Sequence, residues 1–218
     1  MVTPTEDKYS KELDWCVPEP LNINQWERHP MYRIIQRYKG YFTGKVADFG
    51  CNNAIGCCIL SDVHTVQTVT GFDISRVALN EGAEVIRNRD KTCPEKITLM
   101  YSSLTDIDSR DNAFDAGICF HTIEHIYPDD LDTVLSEFAR VIKPGGYLVI
   151  SLPCKFAFMS APAHVAYFSI EPHAGCFTLP EELEKHGFTV IEMFQDSTLN
   201  NKEQLCITGI VRRNNGES

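Results

Sequence analysis

The sequence predicts an α/β fold with a mostly parallel sheet covered by helices on both faces. Three observations predict it. Short apolar runs of strand length alternate with stretches whose apolar residues recur at helical spacing. Several of these runs end in small or acidic residues, as Val46-Ala47-Asp48-Phe49-Gly50 and Gly71-Phe72-Asp73 do. The chain, 218 residues long, has enough length to bury one sizeable core.

The elements follow in order. Residues 1–12 are polar and read as loosely held, and residues 1–44 as a helical or lid segment. Aromatics are dense from Trp15 to Phe42, and Trp26, Met31, Ile34, Ile35 and Tyr38 can share one helix face. Gly40 and Gly44 break that helix before the first strand at Lys45 to Phe49. The loop Gly50-Cys51-Asn52-Asn53-Ala54-Ile55-Gly56 then turns the chain into a helix carrying Cys57, Cys58, Ile59 and Leu60. This strand, loop and helix bring backbone N–H groups close to a nucleotide-like ligand. Asn52 and Ala54 stand where a G-x-G-x-G pattern has glycine. Asn tolerates the left-handed conformation, and Ala is small enough for close helix packing.

Val66 to Asp73 reads as the second strand, and Asp73 lies at the interval expected for an acid that binds ribose hydroxyls. Ser75 is placed to cap the next helix, which carries Val77, Leu79, Ala83, Val85 and Ile86. Lys96 to Tyr101 is the third strand and Phe114 to Phe120 the fourth, which runs into His121-Thr122-Ile123-Glu124-His125. Pro128 opens a helix that buries Leu131, Val134, Leu135, Phe138 and Val141. Lys143-Pro144-Gly145-Gly146 reads as a sharp turn before the fifth strand, Tyr147 to Pro153. Residues 154–177 read as an insertion across the sheet edge. Thr178 is expected to cap a helix ended by Gly187. Phe188 to Phe194 and Gln204 to Val211 are two closing strands.

Composition narrows the function. The net charge is −10 with a pI of about 5.1, and no basic stripe is visible, which argues against nucleic acid as a partner. Small neutral or cationic substrates suit that balance. Nine cysteines, an odd number with no C-x-x-C pair and several inside apolar runs, indicate a reducing, cytoplasmic setting. No apolar run approaches membrane-spanning length, and the first ten residues carry no secretory signal. The oligomeric state is left open.

With these pieces placed, the chain resembles the class I S-adenosylmethionine-dependent methyltransferases. Four stretches carry the resemblance: Val46-Ala47-Asp48-Phe49-Gly50-Cys51, Gly71-Phe72-Asp73-Ile74-Ser75, Phe114-Asp115 through Glu124-His125-Ile126, and Arg140-Val141-Ile142-Lys143-Pro144-Gly145-Gly146-Tyr147-Leu148. The likeness to small-molecule O-methyltransferases includes the E-H pair after the fourth strand. It implies a Rossmann-like three-layer sandwich with a seven-stranded, mostly parallel sheet and an antiparallel C-terminal strand. The methyltransferase domain would span residues 45–213, with 154–177 over the active site.

The resemblance also implies roles. Asp48, Gly50, Cys51 and Asn52 would surround the methionine part of S-adenosylmethionine, whose product is S-adenosylhomocysteine. Asp73 would bind the ribose, with Ile74 against the adenine. Ser103 and Leu104 stand where the family often has an acid for the adenine amino group, and Asp106 is the nearest replacement. Phe120 and His121 would line the pocket floor. For a hydroxyl acceptor a general base helps, and free imidazole titrates near neutrality, so His125 is the candidate base with Glu124 orienting it.

His121, Glu124 and His125 have i, i+3, i+4 spacing, and His164 or His173 could complete a divalent-metal set. Similar E-x-x-E-H clusters bind a cation in small-RNA 2′-O-methyltransferases. The main expectation is therefore O-methylation of a small molecule. Methylation of an RNA end and a catalytically inactive methyltransferase-fold binding module are the alternatives. A nicotinamide-binding oxidoreductase shares the loop and Asp73 but leaves Pro144-Gly145-Gly146 and Glu124-His125 unexplained.

Overall fold

The computed structural model describes Tyr9 and residues 29–88, 94–154, 164–196 and 206–215. Seven strands form one sheet: β1 (Gly44–Phe49), β2 (Val66–Asp73), β3 (Ile97–Tyr101), β4 (Phe114–Phe120), β5 (Ile142–Pro153), β8 (Phe188–Asp196) and β9 (Cys206–Arg213), in the order β3-β2-β1-β4-β5-β9-β8. All pairings from β3 to β5 are parallel, and β9 runs antiparallel to both neighbours. The expected sheet, with its antiparallel C-terminal strand, is the one observed.

Period-two alternation sorts the strand side chains onto two faces. Val46, Ala116, Ile118, Val149 and Ile210 pack with α1 (Pro30–Tyr38), α2 (Ile55–Ser61) and α3 (Arg76–Arg87). Ala47, Phe49, Phe72, Leu148 and Ile150 pack with α4 (Pro128–Val141) and α5 (Leu179–Lys185). Burial on both faces explains why the strands read as near-continuous apolar runs. Phe49 stacks on Phe138 of α4 at 4.3 Å between centroids, so the central strand and its covering helix share one aromatic contact.

The helix signals hold unevenly. The Ser75 hydroxyl accepts the Ala78 N–H at 3.2 Å, and Pro128 opens α4 as its composition suggests. Thr178 makes no side-chain cap hydrogen bond. Instead Pro180 in the first turn of α5 supplies a fixed φ and has no N–H to satisfy. The Lys143-Pro144-Gly145-Gly146 stretch is not a separate turn. It lies inside β5, where an irregularity in the pairing with β4 between Phe114 and Ala116 absorbs Gly145 at φ +79°.

Of the 154–177 stretch, residues 164–177 are described. They carry β6 (Phe168–Ser169) paired with β7 (Phe177–Thr178), and the Val165 and Ala166 N–H groups both donate to the Glu124 carbonyl, at 2.9 and 3.1 Å. The expected helix face from Trp26 begins, among the described residues, at Pro30, and Trp26 itself lies outside them. Tyr9, the residue of the polar first segment that is described, is buried at 4% exposure, which corrects the reading of residues 1–12 as loosely held at that position.

Candidate active site

Strand order reverses direction between β1 and β4, the place where open α/β sheets bind ligands beyond the strands' carboxyl ends. A cavity of about 420 Å³ lies there. The loop after β1 forms one wall through alternating left-handed residues: Gly50 at φ +74°, Asn52 at +46° and Ala54 at +63°. Both non-glycine replacements thus take the glycine conformation. Asn52 offsets some of that strain by accepting the Asn53 N–H on its own side chain at 2.7 Å. Ala54 has no such compensation, and helix α3 packs close on it at Gly82. Gly50 is needed for space as well as conformation, since a Cβ there would collide with the Thr122 side chain.

Asp73, at the end of β2, holds this loop directly. Its carboxylate accepts the Asn52 N–H at 2.8 Å and the Ser75 N–H at 2.8 Å. Burial pushes the carboxyl up, and these backbone donors work against that push. Gly50, Cys51, Asn52, Asp73, Ile74, Ser103, Leu104, Phe120, His121 and His125, all expected at the site, line the cavity. Beside Leu104 the Ser103 and Thr105 hydroxyls hydrogen-bond one another at 2.8 Å, while Asp106 is exposed and does not line the cavity.

Asp48 lies under this loop, not on the cavity wall. Its carboxylate is buried at 4% exposure, accepts the Cys57 thiol at 3.3 Å and is covered by Gly56, where any Cβ would press on Oδ2. The first turn of α2 seals it from the cavity, so its influence on a ligand runs through the loop. Burial pushes Asp48 up to about 7, helped by the charge of Asp73 and opposed by the Cys57 thiol.

An acid with a raised native pKa makes the fold hold a proton that the unfolded chain releases. Stability is therefore greatest below about pH 4 and declines as pH rises towards 7, by at most roughly 4 kcal/mol from this group. The difference between wild-type and Asp48→Asn melting temperatures, measured without cofactor, should widen in the variant's favour across that window. Parallel profiles would remove this account of Asp48.

The other end of the cavity is rich in histidine. Ile123–His125 is a single 3₁₀ turn, and His121 precedes it in the left-handed region at φ +52°. The two expected partners still meet, with His121 Nδ1 at 3.5 Å from Glu124 Oε1. Burial opposes charge on His121, but Cys206 and Glu124 outweigh it and push the imidazole up. Burial of Glu124 is likewise outweighed by His121, which holds the carboxyl below the usual carboxylate range.

Both Glu124 oxygens are buried without a hydrogen-bond partner. The His125 and His164 rings sit edge to face at 5.0 Å, and ligand atoms of Glu124, His125 and His164 all lie within 4.8 Å of one another. His121 is outside that trio. His173 is not brought to it either: its side chain is exposed and its Nδ1 lies 3.1 Å from the Ala174 carbonyl.

Sequence reasoning missed His29, Met31, Tyr9, Ser102, Thr122 and Ile126, which also line the cavity. The dense aromatics before β1 pointed to the region of His29 and Met31, but nothing in the pattern singled out these two.

Residues 47–150 match the family model described as a methyltransferase domain. That match, over just under half of the chain, supports a class I S-adenosylmethionine-dependent methyltransferase domain. Two curated relatives and one solved structure illustrate its neighbourhood. O-methyltransferase resE of Aspergillus sclerotiorum is 26% identical over 151 residues, 67% of this chain and 55% of that protein. The small RNA 2′-O-methyltransferase of Mus musculus is 33% identical over 117 residues, 50% of this chain and 29% of that protein. The chain thus spans about half or less of the length of these two relatives. The N-methyltransferase NodS from Bradyrhizobium japonicum WM9, in complex with S-adenosyl-l-homocysteine, shares the fold. Its TM-score is 0.67 at 16% identity, over 97% of this chain and 99% of that one. The methyltransferase domain's cavity, at the carboxyl ends of β1 to β4, is the one described above, and no helix among the described residues is long and apolar enough to cross a membrane.

Proposed function

We propose that this chain transfers the methyl group of S-adenosylmethionine to an oxygen atom of a small molecule. One observation carries the reading. A single cavity joins an adenosine end, marked by Asp73, Ile74, Ser103 and Leu104, to an end lined by His121, His125 and His164. Gly50, Cys51 and Asn52 would face the methionine part of the cofactor. The sulfonium is already a reactive donor, so the site must align acceptor and methyl in line and exclude water. His125 is the group that would take the acceptor's proton. Glu124, in the same turn, lies within 4.8 Å of it but makes no hydrogen bond to it, and His29 and His164 are kept towards their neutral forms by burial. Residues 1–44 and the 154–177 insertion, which contribute Tyr9, His29, Met31 and His164, would form the lid and the acceptor's surroundings in a domain spanning residues 45–213. Among the described residues Cys51, Cys57, Cys119, Cys154 and Cys176 are free thiols, which fits a reducing compartment such as the cytoplasm.

The test is incubation with methyl-labelled S-adenosylmethionine and a panel of small phenols, alcohols and carboxylic acids. Labelled product and S-adenosylhomocysteine should appear in equal amounts. Cofactor binding in calorimetry with no turnover on any acceptor would favour a binding module, and no cofactor binding would overturn the reading.

The Glu124 oxygens, buried with the His121 ion pair but no hydrogen bond, favour a second reading of the same end. Glu124, His125 and His164 are a donor set that suits zinc or another transition metal more than magnesium. A cation held there would polarise the acceptor oxygen as a Lewis acid. The RNA-end acceptor belongs with this reading, since the small RNA 2′-O-methyltransferase is among the relatives, while the net charge of −10 speaks against it. Activity after exhaustive chelation, and after zinc, manganese or magnesium is restored, separates the two readings. Full activity in chelator removes the metal.

A further inference from the structure

Tyr9 stands far in sequence from everything it touches. Its hydroxyl donates to Asp130 Oδ2 at 2.6 Å and accepts the Tyr127 N–H at 3.3 Å, and its ring meets the Tyr127 ring at 5.4 Å. Both partners belong to the start of α4, where Tyr127 is the N-cap and has no side-chain cap of its own. The Tyr9 phenol therefore does for this helix end part of what a capping residue does: it occupies one of the terminal N–H groups. Burial and the Asp130 carboxylate both push the phenol up, so it remains a donor at any workable pH.

The same side chain lines the cavity and packs in one apolar cluster with Leu104, Ile107, Ile123 and Ile126. Leu104 and Ile126 are themselves cavity residues, and Leu104 lies at the adenosine end. Tyr9 thus lines the cavity from outside the β1–β9 frame, and two hydrogen bonds and one ring contact to the start of α4 are among the contacts that hold it.

Resting on the methyltransferase reading above, we propose that Tyr9 is a positioning residue that covers the cavity beside the start of α4, pinned there through Asp130 and Tyr127, and that release of this pin sets how fast the cofactor leaves. A wall held at the start of a helix restrains departure of a bound molecule more than it changes the contacts that molecule makes. Its loss therefore belongs mainly in the dissociation rate.

Stopped-flow displacement of S-adenosylhomocysteine from the full chain tests this. Tyr9→Phe keeps the ring and removes both hydrogen bonds, and should raise the dissociation rate about 5–30-fold with the association rate within a few-fold of wild type, the scale of one or two such bonds. Tyr9→Ala removes the wall and should speed both entry and exit. Asp130→Ala removes one of the two bonds and should raise the rate by no more than Tyr9→Phe does, and the double variant should be no faster than Tyr9→Phe, because the same pin is being removed twice. Melting curves confirm that each variant is folded, and a merely structural role would lower the melting temperature without moving the dissociation rate. If Tyr9→Phe and Tyr9→Ala both release S-adenosylhomocysteine within twofold of the wild-type rate, the pin does not govern exit and the inference fails alone. If the wild-type protein does not bind S-adenosylhomocysteine at all, the cofactor reading fails and takes this inference with it.

Discussion

His125→Ala is expected to lower kcat by roughly 10²–10⁴-fold on the acceptor found in the labelled screen, with cofactor affinity little changed. His125 lies in the turn after β4, at the carboxyl edge of the sheet, and lines the cavity beside His164. A base there accepts the acceptor's proton as the methyl transfers. The acidic limb of the wild-type rate profile should disappear in the variant, because a protonated imidazole accepts nothing. If kcat holds within a few-fold, His125 is structural and His164, at 5.0 Å between ring centroids, inherits the role. His173 does not, since it stands outside the cavity. Loss of activity together with loss of zinc or cobalt binding would instead assign His125 to the metal reading. Loss of cofactor affinity would place it in the pocket wall and leave catalysis to alignment.

Asp73→Ala is expected to weaken S-adenosylmethionine binding by about 1–3 kcal/mol in calorimetry, at the upper end of that range. The carboxylate would do two things at once. It would accept the ribose hydroxyls, and it already accepts the Asn52 and Ser75 N–H groups. Its removal therefore leaves the loop after β1 without one of its ties, at a loop that holds Asn52 and Ala54 in the left-handed region. Asp73→Asn keeps one acceptor oxygen and should fall between wild type and Asp73→Ala. Unchanged affinity with the fold intact would withdraw Asp73 from the cofactor site.

Much of this protein was legible before its tertiary structure. Element order followed from local periods, because strands buried on both faces must be continuously apolar and covering helices must be amphipathic. Asp73 was legible because an acid at the end of the second strand, a fixed interval after a tight loop, stands where strand geometry delivers it to a ligand. Ser75 was legible because a cap hydrogen bond is local, and Asn52 because few residues tolerate its backbone conformation. Thr178 stands at the N-cap as its position suggests but makes no side-chain cap hydrogen bond, because a proline in the first turn makes one dispensable.

What the tertiary structure alone decided involves segments distant in sequence. His164 meets His125 because Val165 and Ala166 hydrogen-bond to the Glu124 carbonyl, a pairing no periodicity encodes. Tyr9 reaches α4 across a separation of 121 residues from Asp130, and its polar surroundings in sequence conceal that burial. Asp48 reads as a ligand-facing acid, yet the glycine that lets α2 approach closely also seals the carboxylate beneath the loop. Local sequence sets which conformation each segment prefers. Which side chains then share one cavity depends on how packing brings distant segments together, and that information is spread over every residue that fills the space between them.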